Sequence, residues 1–123
     1  MILYEGKSKI IYSANSDNLV RVHFKDDATA FNGVKKEVLS GKGELNCKMS
    51  TFFMELVHRK GGIPTHFVDL LTSQDQLCYK LDIIPIEVVV RNLAAGSICR
   101  RYGIEKGFVF HDPLCELFYK SDE

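Results

Sequence analysis

The segment from Ile83 to Ser97, Ile-Ile-Pro-Ile-Glu-Val-Val-Val-Arg-Asn-Leu-Ala-Ala-Gly-Ser, is the longest apolar run of the chain and limits its fold more than any other stretch. Ile86, Val88, Val89 and Val90 are β-branched without alternation, a pattern that predicts a strand buried on both faces. Arg91 and Asn92 mark the point where that strand ends. Ala94, Ala95 and Gly96 then leave room for backbone to approach a ligand closely. A helix starting near Gly96 would bring free N–H groups, the Ser97 hydroxyl and the Arg91 guanidinium onto one anion, an arrangement suited to a phosphate or a carboxylate.

Composition sets the outer bounds. With 123 residues, 46% of them hydrophobic, the chain has the length and apolar content for a packed core, which argues against disorder. Its 16 basic and 16 acidic residues cancel, so no global field favours nucleic acid or an anionic membrane. The first residues lack the sustained apolar core of a signal peptide, and no stretch approaches the roughly 20 apolar residues of a membrane span. A cytoplasmic protein is the expectation. Cys47, Cys78, Cys99 and Cys115 are irregularly spaced, without a Cys-x-x-Cys pair, and read as reduced, packed thiols. Only Cys99, beside Arg100 and Arg101, has neighbours that could activate a nucleophile. His23 and His58 read as packed or solvated side chains.

Leu3 to Tyr12 has the form of a hairpin interrupted by Gly6. On an extended segment Lys7 and Lys9 share a face, where two ammonium groups could hold successive phosphates while Gly6 lets the backbone approach; a solvated strand face is the competing reading. Asn15–Asn18 is a turn, Leu19–Phe24 alternates as a strand, and Lys25–Gly33 reads as a polar loop. Lys35–Gly43 reads as a second connection that could act as a lid. From Glu44 to Lys60 the residues Leu45, Met49, Phe52, Phe53, Leu56 and Val57 recur at helical period, predicting a helix whose aromatic stripe covers a sheet; Gly61, Gly62 and Pro64 end it. Thr65–Leu71 and Gln76–Leu81 read as strands, Ile98–Gly103 as a short helix, and 108–110 and 113–119 as two more short strands. Pro85 removes a ladder donor and keeps Ile83 backbone groups free near a hinge.

These pieces together resemble the SAICAR synthetases, the phosphoribosylaminoimidazole-succinocarboxamide synthases. The stretch Ile83–Ser97 is similar to the family's first signature, Tyr4-Glu-Gly6-Lys7-Ser8-Lys9 to its nucleotide-phosphate hairpin, and Asp27-Ala-Thr29-Ala-Phe31-Asn32 with Lys42-Gly43-Glu-Leu-Asn46 to its loop and helix entry. The resemblance implies an α+β fold. An antiparallel β lobe covered by one main helix, kinase-like or ATP-grasp-like, would span residues 1–82, with a hinge at 83–85 and the start of a second, substrate-binding α+β lobe at 86–123.

It also implies a ligase of purine biosynthesis that joins L-aspartate to the carboxylate of an aminoimidazole ribonucleotide, using ATP and Mg2+. Gly6, Lys7, Ser8 and Lys9 would hold the ATP phosphates and the Ile83 backbone the adenine. Arg91, Gly96 and Ser97 would form the ribonucleotide-phosphate corner, with Asp27, Thr29 and Asn32 on the substrate side. Lys9 and Arg91 would be the catalytic residues. The partners implied are small molecules, with neither nucleic acid nor membrane, and a homo-oligomer is left open.

The resemblance covers all 123 residues, about the first half of a family member. The second half of such a protein carries an acidic motif of the type Asp-x-Lys-x-Glu-Phe-Gly and a further aspartate that hold magnesium. Neither occurs here, so no metal ligand is assigned and this chain alone is expected to be inactive. A non-catalytic nucleotide-binding module and a structural fragment are the alternatives.

Overall fold

The computed structural model describes residues 1–30 and 35–120, and the chain divides into two compact units, Met1–Leu81 and Asp82–Glu123. In the first unit, strands β1 (Ile2–Glu5), β2 (Lys9–Ser13), β3 (Leu19–Phe24), β6 (Phe67–Leu70) and β7 (Asp75–Tyr79) form an antiparallel sheet of order β1-β2-β3-β7-β6. Two further strands, β4 (Asp27–Ala30) and β5 (Lys35–Val38), pair with each other in a separate two-stranded sheet, and helix α1 (Lys42–Gly61) follows them.

The alternation of β3 explains the core. Val20, Val22 and Phe24 point to one face, where they pack with Cys47 of α1, Cys78 of β7 and the partly buried Ile11. Arg21 and His23 point to the other face and converge on Asp75: Arg21 Nη1 lies 2.9 Å and His23 Nδ1 3.1 Å from its carboxylate, and the Thr72 hydroxyl donates to it at 2.6 Å. Gln76, nearly fully buried, donates to the Cys47 carbonyl at 3.2 Å and to the Thr51 hydroxyl at 2.7 Å, tying the sheet to α1 by side-chain hydrogen bonds.

Several expectations shift. The helix is longer than its apolar period suggested, and its buried residues are Gly43 and Cys47 rather than the aromatic stripe; Phe52 and Phe53 are both more than half exposed. Small side chains face the sheet because they let the helix lie close to it. Asp27–Ala30 is a strand, not a loop, and Lys35–Val38 is its ladder partner.

The second unit holds β8 (Ile86–Leu93), α2 (Ser97–Tyr102) and β9 (Val109–Tyr119), with β8 and β9 antiparallel. The two short strands expected after residue 107 are one long strand. Its register shifts opposite Arg91/Leu93, and this irregularity accommodates Pro113, which has no N–H to give. The apolar run of β8 is not buried on both faces, since Val88 and Val90 are 61% and 62% exposed. Val89 and Arg91 share a half-covered face with Glu116 and Phe118, whereas Ile86, Val88 and Val90 lie with Cys115, Leu117 and Tyr119 on an open one. β-Branching alone does not distinguish a two-sided core strand from one side of a ribbon.

Candidate functional site

Four segments carry the residues singled out in the sequence. In the second unit, Arg91 leaves β8 and Ser97 opens α2, with Ala94 fixed between them: its N–H donates to the Phe108 carbonyl at 2.7 Å, and its own carbonyl accepts from Gly107 at 2.8 Å. Gly96 turns the chain at φ 68°, ψ −127°, a conformation essentially closed to residues with a Cβ. This turn carries Ser97 back towards Arg91. The Arg91 guanidinium donates from Nη2 to the Ser97 hydroxyl at 3.5 Å, from Nη1 to the Ala95 carbonyl at 3.2 Å and from Nε to Glu116 at 2.6 Å. Arg101 donates to the other Glu116 oxygen and stacks over the Phe118 ring at 4.9 Å. The two guanidinium groups hold the Glu116 carboxyl below the usual carboxylate range, the hydrogen bond from Arg91 contributing most. The corner therefore carries two arginines against one partly buried carboxylate, a net positive, donor-rich surface. The chain brings Arg91 and Ser97 within reach of each other around Gly96, and α2, which starts at Ser97, is only six residues long.

In the first unit, Gly6, Lys7 and Ser8 connect β1 to β2, closed by a bond from the Gly6 N–H to the Lys9 carbonyl at 2.9 Å. The Lys25 N–H donates to the Ser8 carbonyl at 2.9 Å, fastening the turn to the residue after β3. Lys7 sits in the bend and Lys9 at the strand start, so the shared extended face expected for them does not exist. Lys7 is exposed and has no ion-pair or hydrogen-bond partner among the described residues. The Lys9 ammonium lies 4.9 Å from the centre of the Phe24 ring, a cation–π contact that holds it against the core side of the sheet.

The candidates after β3 are held by their neighbours. Asp27 pairs with Lys25 at 2.6 Å and its carbonyl accepts from Lys42 at 2.8 Å; Lys25 also pairs with Glu5 at 2.7 Å. These carboxylates, Asp27 foremost, raise the Lys25 pKa above its ordinary value. Thr29 lies in β4 opposite Lys36, and Asn32 lies outside the described residues. Sequence reading overlooked the neighbouring Asp26, which accepts from the Gly43 N–H at 2.7 Å and from Gln74 at 3.2 Å. It serves α1 as a cap supplied from a distant strand end, and no local pattern around Gly41 would have shown it. Ile83 is 86% exposed, and its backbone has no hydrogen-bond partner among the described residues.

Among the described residues no group of three or more His, Cys, Asp or Glu side chains could hold a metal, and Asp26, Asp27 and Asp75 are each held by protein donors. The described residues thus do not fit a magnesium centre. Nor, among the described residues, is any helix long and apolar enough to cross a membrane.

A family model described as SAICAR synthetase matches residues 2–123. The chain belongs to the SAICAR synthetase family. Phosphoribosylaminoimidazole-succinocarboxamide synthase of Persephonella marina is 51% identical over 121 residues, covering 98% of this chain and 50% of that protein. The crystal structure of the Ehrlichia chaffeensis synthase superposes with a TM-score of 0.92 at 47% identity, over 99% of this chain and 51% of the other. A SAICAR synthetase solved in complex with ADP gives 0.89 at 43% identity, over 97% and 50%. The chain thus spans about half the length of the relatives it matches, and its mixed fold, antiparallel sheets with one main helix, is that of SAICAR synthetases. Within that fold the residue most easily missed was Glu116. A single acid between Cys115 and Leu117 shows nothing until strand register puts it opposite Val89, diagonal to Arg91.

Proposed function

We propose that this chain contributes the nucleotide-phosphate hairpin and the ribonucleotide-phosphate corner of an ATP-dependent ligase of purine biosynthesis. The reaction joins L-aspartate to the carboxylate of 5-amino-1-(5-phosphoribosyl)imidazole-4-carboxylate, giving the succinocarboxamide, ADP and phosphate. One observation carries this reading: Arg91 is aimed at Ser97 across the Gly96 turn, in a chain that matches the family over nearly its whole length.

A carboxylate does not accept an amine until one of its oxygens becomes a leaving group. Transfer of the ATP γ-phosphoryl to the carboxylate supplies it, and attack by the aspartate amine then releases phosphate. The protein's share of such chemistry is positioning and charge neutralisation. Lys7 offers an ammonium without a partner among the described residues and Lys9 a second one, positioned by Phe24, with Gly6 and Ser8 shaping the turn. The exposed Ile83 backbone receives the adenine. Arg91 and Ser97 hold the substrate phosphate, Gly96 admits it, and Asp27, Thr29 and Asn32 belong to the substrate side. Lys9 and Arg91 are the catalytic residues of this reading. Magnesium use follows from family resemblance alone. A cytoplasmic setting follows from the same metabolic reading.

Calorimetric titration of the chain with ADP and, separately, with ribose 5-phosphate tests the proposal. Lys7→Ala/Lys9→Ala should weaken ADP binding by about 10-fold or more, on the scale of a lost charged hydrogen bond, and leave ribose 5-phosphate untouched. Arg91→Ala should do the reverse. Loss of neither ligand in either variant would refute the assignment. With all three substrates supplied, the 123-residue chain should show negligible turnover; product formation at the rate of a full-length relative would refute that part.

A further inference from the structure

We propose that Glu116 is the positioning residue of the anion corner, holding the Arg91 guanidinium in the one orientation that presents it, with Ser97, to a phosphate. The inference rests on the reading of Arg91 and Ser97 as phosphate ligands and adds to it a residue that touches no substrate. Glu116 stands in β9 opposite Val89, two residues from Arg91 on the same face of the ladder. Its side chain is only one-tenth exposed, and each oxygen holds a different guanidinium: Oε2 takes the Arg91 Nε–H at 2.6 Å, and Oε1 takes Arg101. Arg101 is itself stacked on the rings of Phe118 and Tyr102, at 4.9 Å and 5.2 Å. A rigid series therefore runs from the Phe118 ring through Arg101 and Glu116 to Arg91. With Nε fixed by Glu116 and Nη1 by the Ala95 carbonyl, the planar fork of Arg91 has no free rotation left, and its Nη2 edge faces Ser97.

Charge alone would not place a carboxylate here. It repels the anion the corner is read to bind and cancels one of the two arginines. The sign of its effect on binding therefore separates positioning from electrostatics. If Glu116 were only a nearby negative charge, neutralising it would tighten phosphate binding. If it orients Arg91, neutralising it weakens binding, because a glutamine oxygen can accept from one guanidinium while its amide hydrogens face the other.

The test uses the whole 123-residue chain with ribose 5-phosphate as probe, following affinity by calorimetry and the arginine Nε–H signals by nitrogen-edited NMR. Glu116→Gln should weaken binding by about 10-fold, the scale on which loss of a group orienting a ligating side chain is felt, and should move the Arg91 Nε–H signal towards that of a free arginine. Glu116→Asp keeps the charge but withdraws the carboxylate by one carbon, so it should also weaken binding, and it carries the test if the glutamine variant does not fold. In an Arg91→Ala background, Glu116→Gln should cause no further loss. In the unaltered chain, the probe should bind while the Arg91 Nε–H signal keeps its position.

Unchanged or tighter binding in either Glu116 variant, with Arg91→Ala still losing the probe, overturns the positioning role alone. So does displacement of the Nε–H signal of the unaltered chain on binding. Undiminished binding in Arg91→Ala overturns the phosphate-corner reading and this inference with it, and is recognisable because the Glu116 variants would then also bind normally.

Discussion

Single residues decide two features of this chain that composition would call interchangeable. A Cβ on Gly43 would lie 2.3 Å from the Phe24 carbonyl oxygen and 2.5 Å from the Gln74 amide nitrogen, and since the first of these is backbone it has little room to yield. Gly43→Ala should therefore destabilise the first unit by about 3 kcal/mol, the upper range for overpacking, read as a fall in the urea midpoint. Gly96 presents the opposite case: open space surrounds it, yet its φ of 68° is strained for any other residue. Gly96→Ala should cost about 1–3 kcal/mol and lower ribose 5-phosphate affinity by displacing Ser97.

The titratable residues predict acid sensitivity in two stages. Burial lowers the His66 imidazole, so the unfolded chain takes that proton first; the contribution of His66 is present above the ordinary histidine pKa and is lost as pH falls below about 6.5. Burial would raise the Asp75 carboxyl, but the bonds from Thr72 and His23 and the charges of His23 and Arg21 outweigh it and hold it below its ordinary value. Its contribution is complete above the unfolded aspartate pKa and is lost as pH falls below about 4. Urea midpoints measured across pH should decline in both windows, and Asp75→Asn should flatten the lower one. Gly96 and the Arg91–Ser97 pair were legible in the sequence because they lie within one short local pattern. Glu116, Asp26 and Asp75 were not, because Glu116 meets its arginines, Asp26 meets Gly43 and Gln74, and Asp75 meets Arg21 and His23 across long stretches of chain whose register no local pattern specifies.

Among the elements, α1 shows how a correct period can carry a wrong orientation. Its spacing is helical, but the face against the sheet is made of Gly43, Cys47 and Thr51, while Leu45, Met49, Phe52 and Phe53 stay outside. Hydrophobicity identified the element and then pointed its apolar stripe inward, whereas close approach and the Gln76 hydrogen bonds set the actual rotation. Phe52→Ser should change the stability of this chain by less than about 0.5 kcal/mol, as expected of an exposed position, whereas Gln76→Ala should cost about 2 kcal/mol through lost bonds and packing. Parallel urea titrations would show the contrast; equal losses would return the aromatic stripe to the core. The strand β3 was readable residue by residue because its alternation is strict and one face is buried. The run in β8 was not, since continuous β-branching carries no directional information.

At the scale of the whole molecule, the boundary between the compact units falls between Leu81 and Asp82, next to a segment in which Leu81, Ile83 and Ile84 are 63%, 86% and 72% exposed. Brief thermolysin treatment should cut there first, giving fragments that end and begin near residue 83; initial cleavage within β3 or α1 would contradict this. The order of strands has a temporal consequence as well. The middle of the five-stranded sheet is β3, one of whose two neighbours is β7, so Val20 pairs with Cys78 across most of the first unit. Closing so long a loop delays the ladder until its last strand is available. On the ribosome, Val20, Val22 and Phe24 would emerge long before Cys78 and Gln76 could cover them. Until then the hairpin of β1, β2 and β3 has an unpaired edge and an uncovered apolar face. For this chain, synthesis thus adds a hazard of aggregation to the one that the open apolar face of β8 and β9 already presents.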